Sequence, residues 1–161
     1  MKNAGRRVAI IGGARIPFAK SFTAYNDVTN HELMTAALTA LVKKFNLTGK
    51  KVDEVALGTL IHYPTEWNWA RENVLSSGLD AHTPALFVAR ACGTSLDAAN
   101  IIAMKIASGQ IEVGIAGGSD TNSDVPITLS RSAAKSLKDI RSAKSFGERV
   151  SKFSHRRGVH F

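Results

Sequence analysis

The sequence predicts an α/β fold, a mostly parallel sheet with helices on both faces. Three observations carry this. Short β-branched apolar runs recur along the first 118 residues, segments of helical spacing separate them, and glycines close most of them. Strands that alternate with helices are joined most simply by crossovers, which set neighbouring strands parallel.

The first run, RRVAIIGG (residues 6–13), reads as a buried strand ending at Gly12 and Gly13. The loop ARIPFAKSFTAYND follows, and Pro17 keeps a helix from starting early. Thr29 with Glu32 three residues on is a capping-box pattern. Met34, Leu38, Leu41 and Phe45 then continue at helical spacing. Gly49 and two lysines end that unit, and VDEVALGTL (residues 52–60) predicts a second strand. A short helix is expected over residues 67–76, stopped by Gly78. A third strand is expected over residues 84–90, a helix from Cys92 to near Gly109, and a fourth strand over residues 111–118. No repeat of fixed period and no low-complexity segment is visible.

The helix after Cys92 has an unusually wide apolar face. On a helical wheel its apolar residues, from Leu96 to Ala107, fill an arc roughly 220° wide. Ile101 and Met104 even fall among the polar Asn100, Asp97 and Lys105. A helix lying on one sheet needs a narrower stripe, so this one is expected to have neighbours on two sides. The plainer alternative is an alanine-rich helix that stays partly exposed.

Charge divides the chain in two. The net charge is +8, and nine lysines and arginines against Asp139 and Glu148 place +7 of it from Arg131 onward. The expected boundaries are an α/β domain over residues 1–128 and a basic segment over residues 129–161. Such a segment serves as a solvated face, or meets an anionic small molecule, a membrane surface or a partner protein. Nucleic acid is not expected, because the segment has only three aromatics and matches no recognition motif.

Cys92 is the only cysteine, which excludes an internal disulfide and favours a reducing compartment. The basic N-terminus lacks an apolar stretch long enough for a signal-peptide core, and no run reaches a membrane span. A soluble cytoplasmic protein is expected. Cys92 itself falls where a strand gives way to a helix. Unpaired N–H groups and the helix dipole favour a thiolate there, and the same N–H groups suit an oxyanion. A free cysteine also serves as a small hydrophobe, and position alone leaves both readings open.

Other signals are weaker. The Gly12-Gly13 pair lacks the G-x-G-x-x-G spacing of a dinucleotide loop. His31, His62, His82, His155 and His160 show no metal-ligand spacing. Trp67 and Trp69 suit packing or a dimer contact better than a stacking platform.

Together these stretches resemble the N-terminal half of a thiolase. RVAIIGGARIPFAKS is similar to the family's opening strand and its R-T-P-F segment, with Ile16 in place of the usual threonine. NWARENVLSSGLDAHTPALFVARACGTSLDAA resembles the approach to the nucleophile, and IEVGIAGGSDTNSDVPITLSR the strand and turn after it. The nearest likeness is to 3-ketoacyl-CoA thiolases of the kind found as beta subunits of the fatty-acid oxidation trifunctional complex. Ketosynthases share a cysteine at a helix start, but the opening segment fits thiolases better.

The resemblance implies a thiolase-like half with the start of a basic loop domain. It implies that Cys92 is the acyl-accepting nucleophile, in thiolysis within β-oxidation or in the reverse Claisen condensation. CoA thioesters are the implied substrates and CoA a co-substrate, with no metal or prosthetic group. A homodimer is implied, and a hydratase/dehydrogenase subunit or a thiolase C-terminal half as a further partner. The family's G-H-P histidine and C-x-G-G cysteine have no counterpart in these 161 residues. The chain is therefore expected not to turn over alone, whether it is a fragment or a non-catalytic interaction module binding a partner subunit or an anionic membrane. In thiolases the helix after the nucleophile lies between the sheets of both halves, which agrees with its wide apolar arc. Bare, that face is expected to drive dimerisation, aggregation or capture of a missing partner.

Overall fold

A computed structural model describes residues 6–154, so His155 and His160 lie outside the described residues. The described residues form two compact units, which divide after Pro126.

In the first unit, helix α1 (Asn30–Lys44) is followed by strand β1 (Glu54–Gly58) and helix α2 (Trp69–Ser77). Strand β2 (Ala85–Val88), helix α3 (Thr94–Ala107) and strand β3 (Gly114–Gly118) complete it. The three strands form a parallel sheet in the order β2-β1-β3, with Gly58 at the end of β1 level with Gly118 at the end of β3.

Side-chain alternation along β1 divides the core in two. Val55 and Leu57 face a cluster with Met34, Leu38 and Val42 of α1, and Trp69 and Val74 of α2. Ala56, one residue out of phase, faces Ala98 and Ile102 of α3 together with Val88. Helices therefore cover both faces, as expected.

Local chemistry sets the ends of these elements. The Thr29 hydroxyl accepts from the Glu32 N–H, and the Glu32 carboxylate accepts from the Thr29 N–H, so the capping box is complete. The Thr29 hydroxyl also donates to the same Glu32 carboxylate. These bonds hold the Glu32 carboxyl below its ordinary value of 4.5, the Thr29 N–H contributing most. Thr29→Ala is expected to cost about 1 kcal/mol in urea unfolding at neutral pH. Because the folded-state pKa is depressed, the box's contribution is present above the ordinary glutamate value and fades as pH falls through the lowered one. The penalty of Thr29→Ala should therefore shrink in acid, which unfolding at about pH 3 checks.

Helix α2 starts at Asn68, whose side chain accepts from the Arg71 N–H at 3.1 Å, slightly later than expected. It stops at Gly78 in the left-handed region, with φ of 88°.

The first expected strand differs. Residues 8–13 join no strand of the sheet, and Ile10 and Ile11 are 95% and 78% exposed. The segment is fastened at its ends instead. The Arg6 N–H bonds the Ala107 carbonyl and its guanidinium pairs with Glu112, while Lys44 Nζ donates to the Gly13 carbonyl. A strand is defined by its ladder, and between these ties no neighbour supplies one. The run was expected to be a buried strand, and without a partner strand its residues stay exposed.

The wide apolar arc of α3 is half satisfied. Thr94, Ala98 and Ile102 are buried, whereas Leu96 and Met104 are 68% and 64% exposed.

The second unit, expected only as a basic segment, contains two helices. They are α4 (Arg131–Arg141) and α5 (Phe146–Ser154). Ser130 caps α4 by accepting from the Ala133 N–H, and Lys152 Nζ on α5 donates to the Asp139 carbonyl. Arg131, Lys135, Lys138, Arg141, Lys144 and Arg149 are all exposed. No described helix is long and apolar enough to cross a membrane.

Candidate active site

The candidate site lies where β1 and β3 end and α3 begins. Gly58, Ala91, Cys92, Thr94, Ser95, Gly118, Ser119 and Asp120 surround an open cavity of about 120 Å³. That space is large enough for a small acyl group beside the sulfur.

Two glycines let the helix approach this closely. A Cβ on Gly58 would lie 2.1 Å from Thr94 Cγ2. A Cβ on Gly118 would lie 2.3 Å from the Gly58 carbonyl oxygen and 3.0 Å from Ser95 Cβ. The first turn of α3 therefore rests directly on the strand ends, with no side chain between.

A tight turn carries the chain from β2 into α3 and presents Cys92. Ala91 has a φ of 40°, a left-handed conformation that a residue with a Cβ adopts only when its surroundings hold it. Thr94 supplies the hold. Its hydroxyl accepts from the Arg90 N–H at 3.1 Å and donates to the Ala91 carbonyl, and it is 3% exposed. The Gly93 N–H closes the turn onto the Arg90 carbonyl at 3.0 Å. Arg90 also pairs with Asp97, one turn into the helix, at 3.0 Å.

Cys92 is a free, exposed thiol, so the sulfur is not a core hydrophobe. It precedes Gly93, the N-cap of α3, which gives the helix no side-chain cap. The first-turn N–H groups beside the cavity are thus left to solvent or to a ligand. Such a place can carry a nucleophile and receive the oxyanion that its attack creates.

A polar network braces the cavity rim, and sequence reading missed all of it. Asp120 Oδ1 accepts from Thr59 Oγ1 at 2.7 Å and from the N–H groups of Leu60 and Ile61 at 2.9 and 3.1 Å. Buried Asn30 donates from its side-chain amide to Thr59 Oγ1 at 2.8 Å, and its Oδ1 accepts from Ser119 Oγ at 2.7 Å. Asp124 accepts from the Asn30 N–H and from the Tyr63 hydroxyl, and this bond pushes the Tyr63 pKa up. The signal was present only as GGSDTNSD after a strand, which does not say which strand its acids will reach.

The other singled-out residues lie elsewhere. His31 sits on α1 with Ser76 Oγ at 3.2 Å, His62 meets the Phe87 ring edge-on, and His82 pairs with Asp80. None of these lines the cavity. Trp69 is fully buried in the core, whereas Trp67 is 92% exposed. No helix follows Gly12-Gly13 before Asn30, so the pair does not build a phosphate loop. Among the described residues no three of His, Cys, Asp or Glu gather in a metal-binding group.

Residues 8–151 match the family described as "Thiolase, N-terminal domain". The 3-ketoacyl-CoA thiolase of Shewanella piezotolerans is 39% identical over 149 residues, 92% of this chain and 34% of that protein. That of Photorhabdus laumondii subsp. laumondii is 39% identical over 146 residues, 91% of this chain and 34% of that protein. The crystal structure of the Bacillus anthracis acetyl-CoA acetyltransferase superposes with a TM-score of 0.75 at 32% identity, covering 81% of this chain and 33% of that one. This chain thus spans about a third of the length of the relatives it matches.

Proposed function

Because the chain belongs to the thiolase family, as an N-terminal half, we propose that it carries the acyl-accepting part of a thiolase acting on 3-ketoacyl-CoA and CoA. The observation that supports this most is Cys92, exposed in a small cavity at the uncapped start of α3.

In the proposed reaction the Cys92 thiolate adds to the 3-keto carbon. The bond between C2 and C3 breaks, its electron pair leaves with the acetyl-CoA fragment, and a proton then reaches that carbon. The thiol of CoA gives up its proton and attacks the resulting acyl-cysteine, and Cys92 is released as a thiolate. No described histidine and no second cysteine stands by the sulfur to move these protons. The chain alone should form and exchange an acyl group slowly, without turning over. The expected setting is a reducing cytoplasm, with β-oxidation as the process served. A second copy, a thiolase C-terminal half or a hydratase/dehydrogenase subunit would complete the assembly.

Isotope exchange between labelled CoA and acetyl-CoA tests this, since it needs the acyl-cysteine and no carbon acid. Slow exchange with no cleavage of acetoacetyl-CoA is expected. Cleavage at an enzyme-like rate would contradict the division of labour, and no exchange would contradict the nucleophile.

A second reading, a non-catalytic module for a partner subunit or an anionic membrane, draws on the exposed cations of α4 and α5. Salt-sensitive binding to anionic vesicles, together with a failure of exchange, would favour it.

A further inference from the structure

Two aspartates tie β1 to β3, one at each end of the pair. At the leading end, Asp53 Oδ2 accepts from the N–H groups of Glu112 and Val113 at 2.8 and 3.0 Å. These bonds, Glu112's first, hold its carboxyl below the ordinary aspartate range. At the trailing end, Asp120 gathers Thr59 Oγ1 and two backbone N–H groups on a single oxygen. Only the trailing end touches the cavity.

We propose that Asp120 is a positioning residue for Cys92, fixing the strand exits on which the first turn of α3 rests. The proposal builds on the reading of Cys92 as acyl acceptor. Each link is a contact. Asp120 holds residues 59–61, the start of the segment leaving β1. Gly58, just before them, is paired level with Gly118 and lies under Thr94. Gly118 in turn lies under Ser95. Thr94 holds the turn at Arg90 and Ala91 that presents the sulfur. A loss of the Asp120 carboxylate leaves two N–H groups and a hydroxyl to find other partners, and the platform can then shift.

The test compares the full chain with Asp120→Ala, Asp120→Asn and Asp53→Ala. In each, the rate of Cys92 acetylation by acetyl-CoA is divided by its rate of alkylation by iodoacetamide, a small reagent that makes little demand on geometry. Asp120→Ala should lower this ratio about tenfold, because a misplaced nucleophile loses its aligned approach. Asp120→Asn keeps an oxygen where the three donors converge and should restore the ratio. Asp53→Ala removes a comparable brace away from the cavity and should lower stability while leaving the ratio alone. An unchanged ratio in Asp120→Ala, an equal fall in Asp53→Ala, or no restoration by asparagine would each overturn the proposal.

If the wild-type chain is never acetylated, the acyl-acceptor reading fails by itself. Positioning is then read from amide hydrogen exchange at Asp97, whose N–H is held by the Gly93 carbonyl in the first turn of α3. Faster exchange there in Asp120→Ala but not in Asp53→Ala supports it, and unchanged exchange overturns it.

Discussion

Replacing Gly118 with alanine is expected to destabilise the fold by about 3 kcal/mol. The added methyl carbon would sit 2.3 Å from the Gly58 carbonyl oxygen, far inside van der Waals contact. That oxygen belongs to backbone and already accepts from the Ser119 N–H, so it cannot swing aside as a side-chain tip would. Ser95 Cβ at 3.0 Å blocks the other direction. Relief requires β1 and β3 to part or α3 to lift, and either disturbs the Cys92 cavity. Gly13 serves as the control. A Cβ there would meet nothing within 4 Å, so Gly13→Ala should stay within about 0.5 kcal/mol of wild type. Urea unfolding of the two variants decides the matter. Equal stability would show that the helix does not rest on the strand ends.

Cys92→Ala should abolish CoA exchange, a fall of at least about a thousandfold, and leave the fold almost untouched. The thiol is exposed, so its removal opens no core void, and the stability change should stay within about 0.5 kcal/mol. The contrast with Gly118→Ala separates two layers of the site. One residue supplies chemistry at little cost to folding, and the other supplies the close approach on which that chemistry depends. Exchange that survives in Cys92→Ala would remove the nucleophile from the account.

Features written locally in the chain were legible in the sequence. The Thr29–Glu32 box, the Gly78 stop and the placement of Cys92 before a helix each rest on residues a few positions apart. The positions of β1, β2 and β3 were readable within a few residues, since a short apolar run marks each. Long-range pairing was not legible. Asp120 matters because β3 lies beside β1, which brings it to donors some sixty positions earlier in the chain. Asp53 is hidden for the same reason. The opening run failed in the opposite way: Val8, Ile10 and Ile11 have the composition of a strand, yet no described strand pairs with them. For α4 the local signal was the Ser130 cap, while the lysines and arginines of α4 and α5 suit a solvated segment equally well.

The width of the α3 apolar arc is informative at both levels. Spacing asked for two neighbours, and the fold supplies one, the sheet, against Ala98 and Ile102. Leu96 and Met104 remain exposed.

In the proposed function Cys92 accepts an acyl group on the platform made by Gly58 and Gly118. Intact mass of the purified chain after incubation with acetyl-CoA or acetoacetyl-CoA tests it most directly. A single acyl adduct in wild type, absent from Cys92→Ala, is the predicted result. No adduct in wild type, while iodoacetamide still alkylates Cys92, would contradict it.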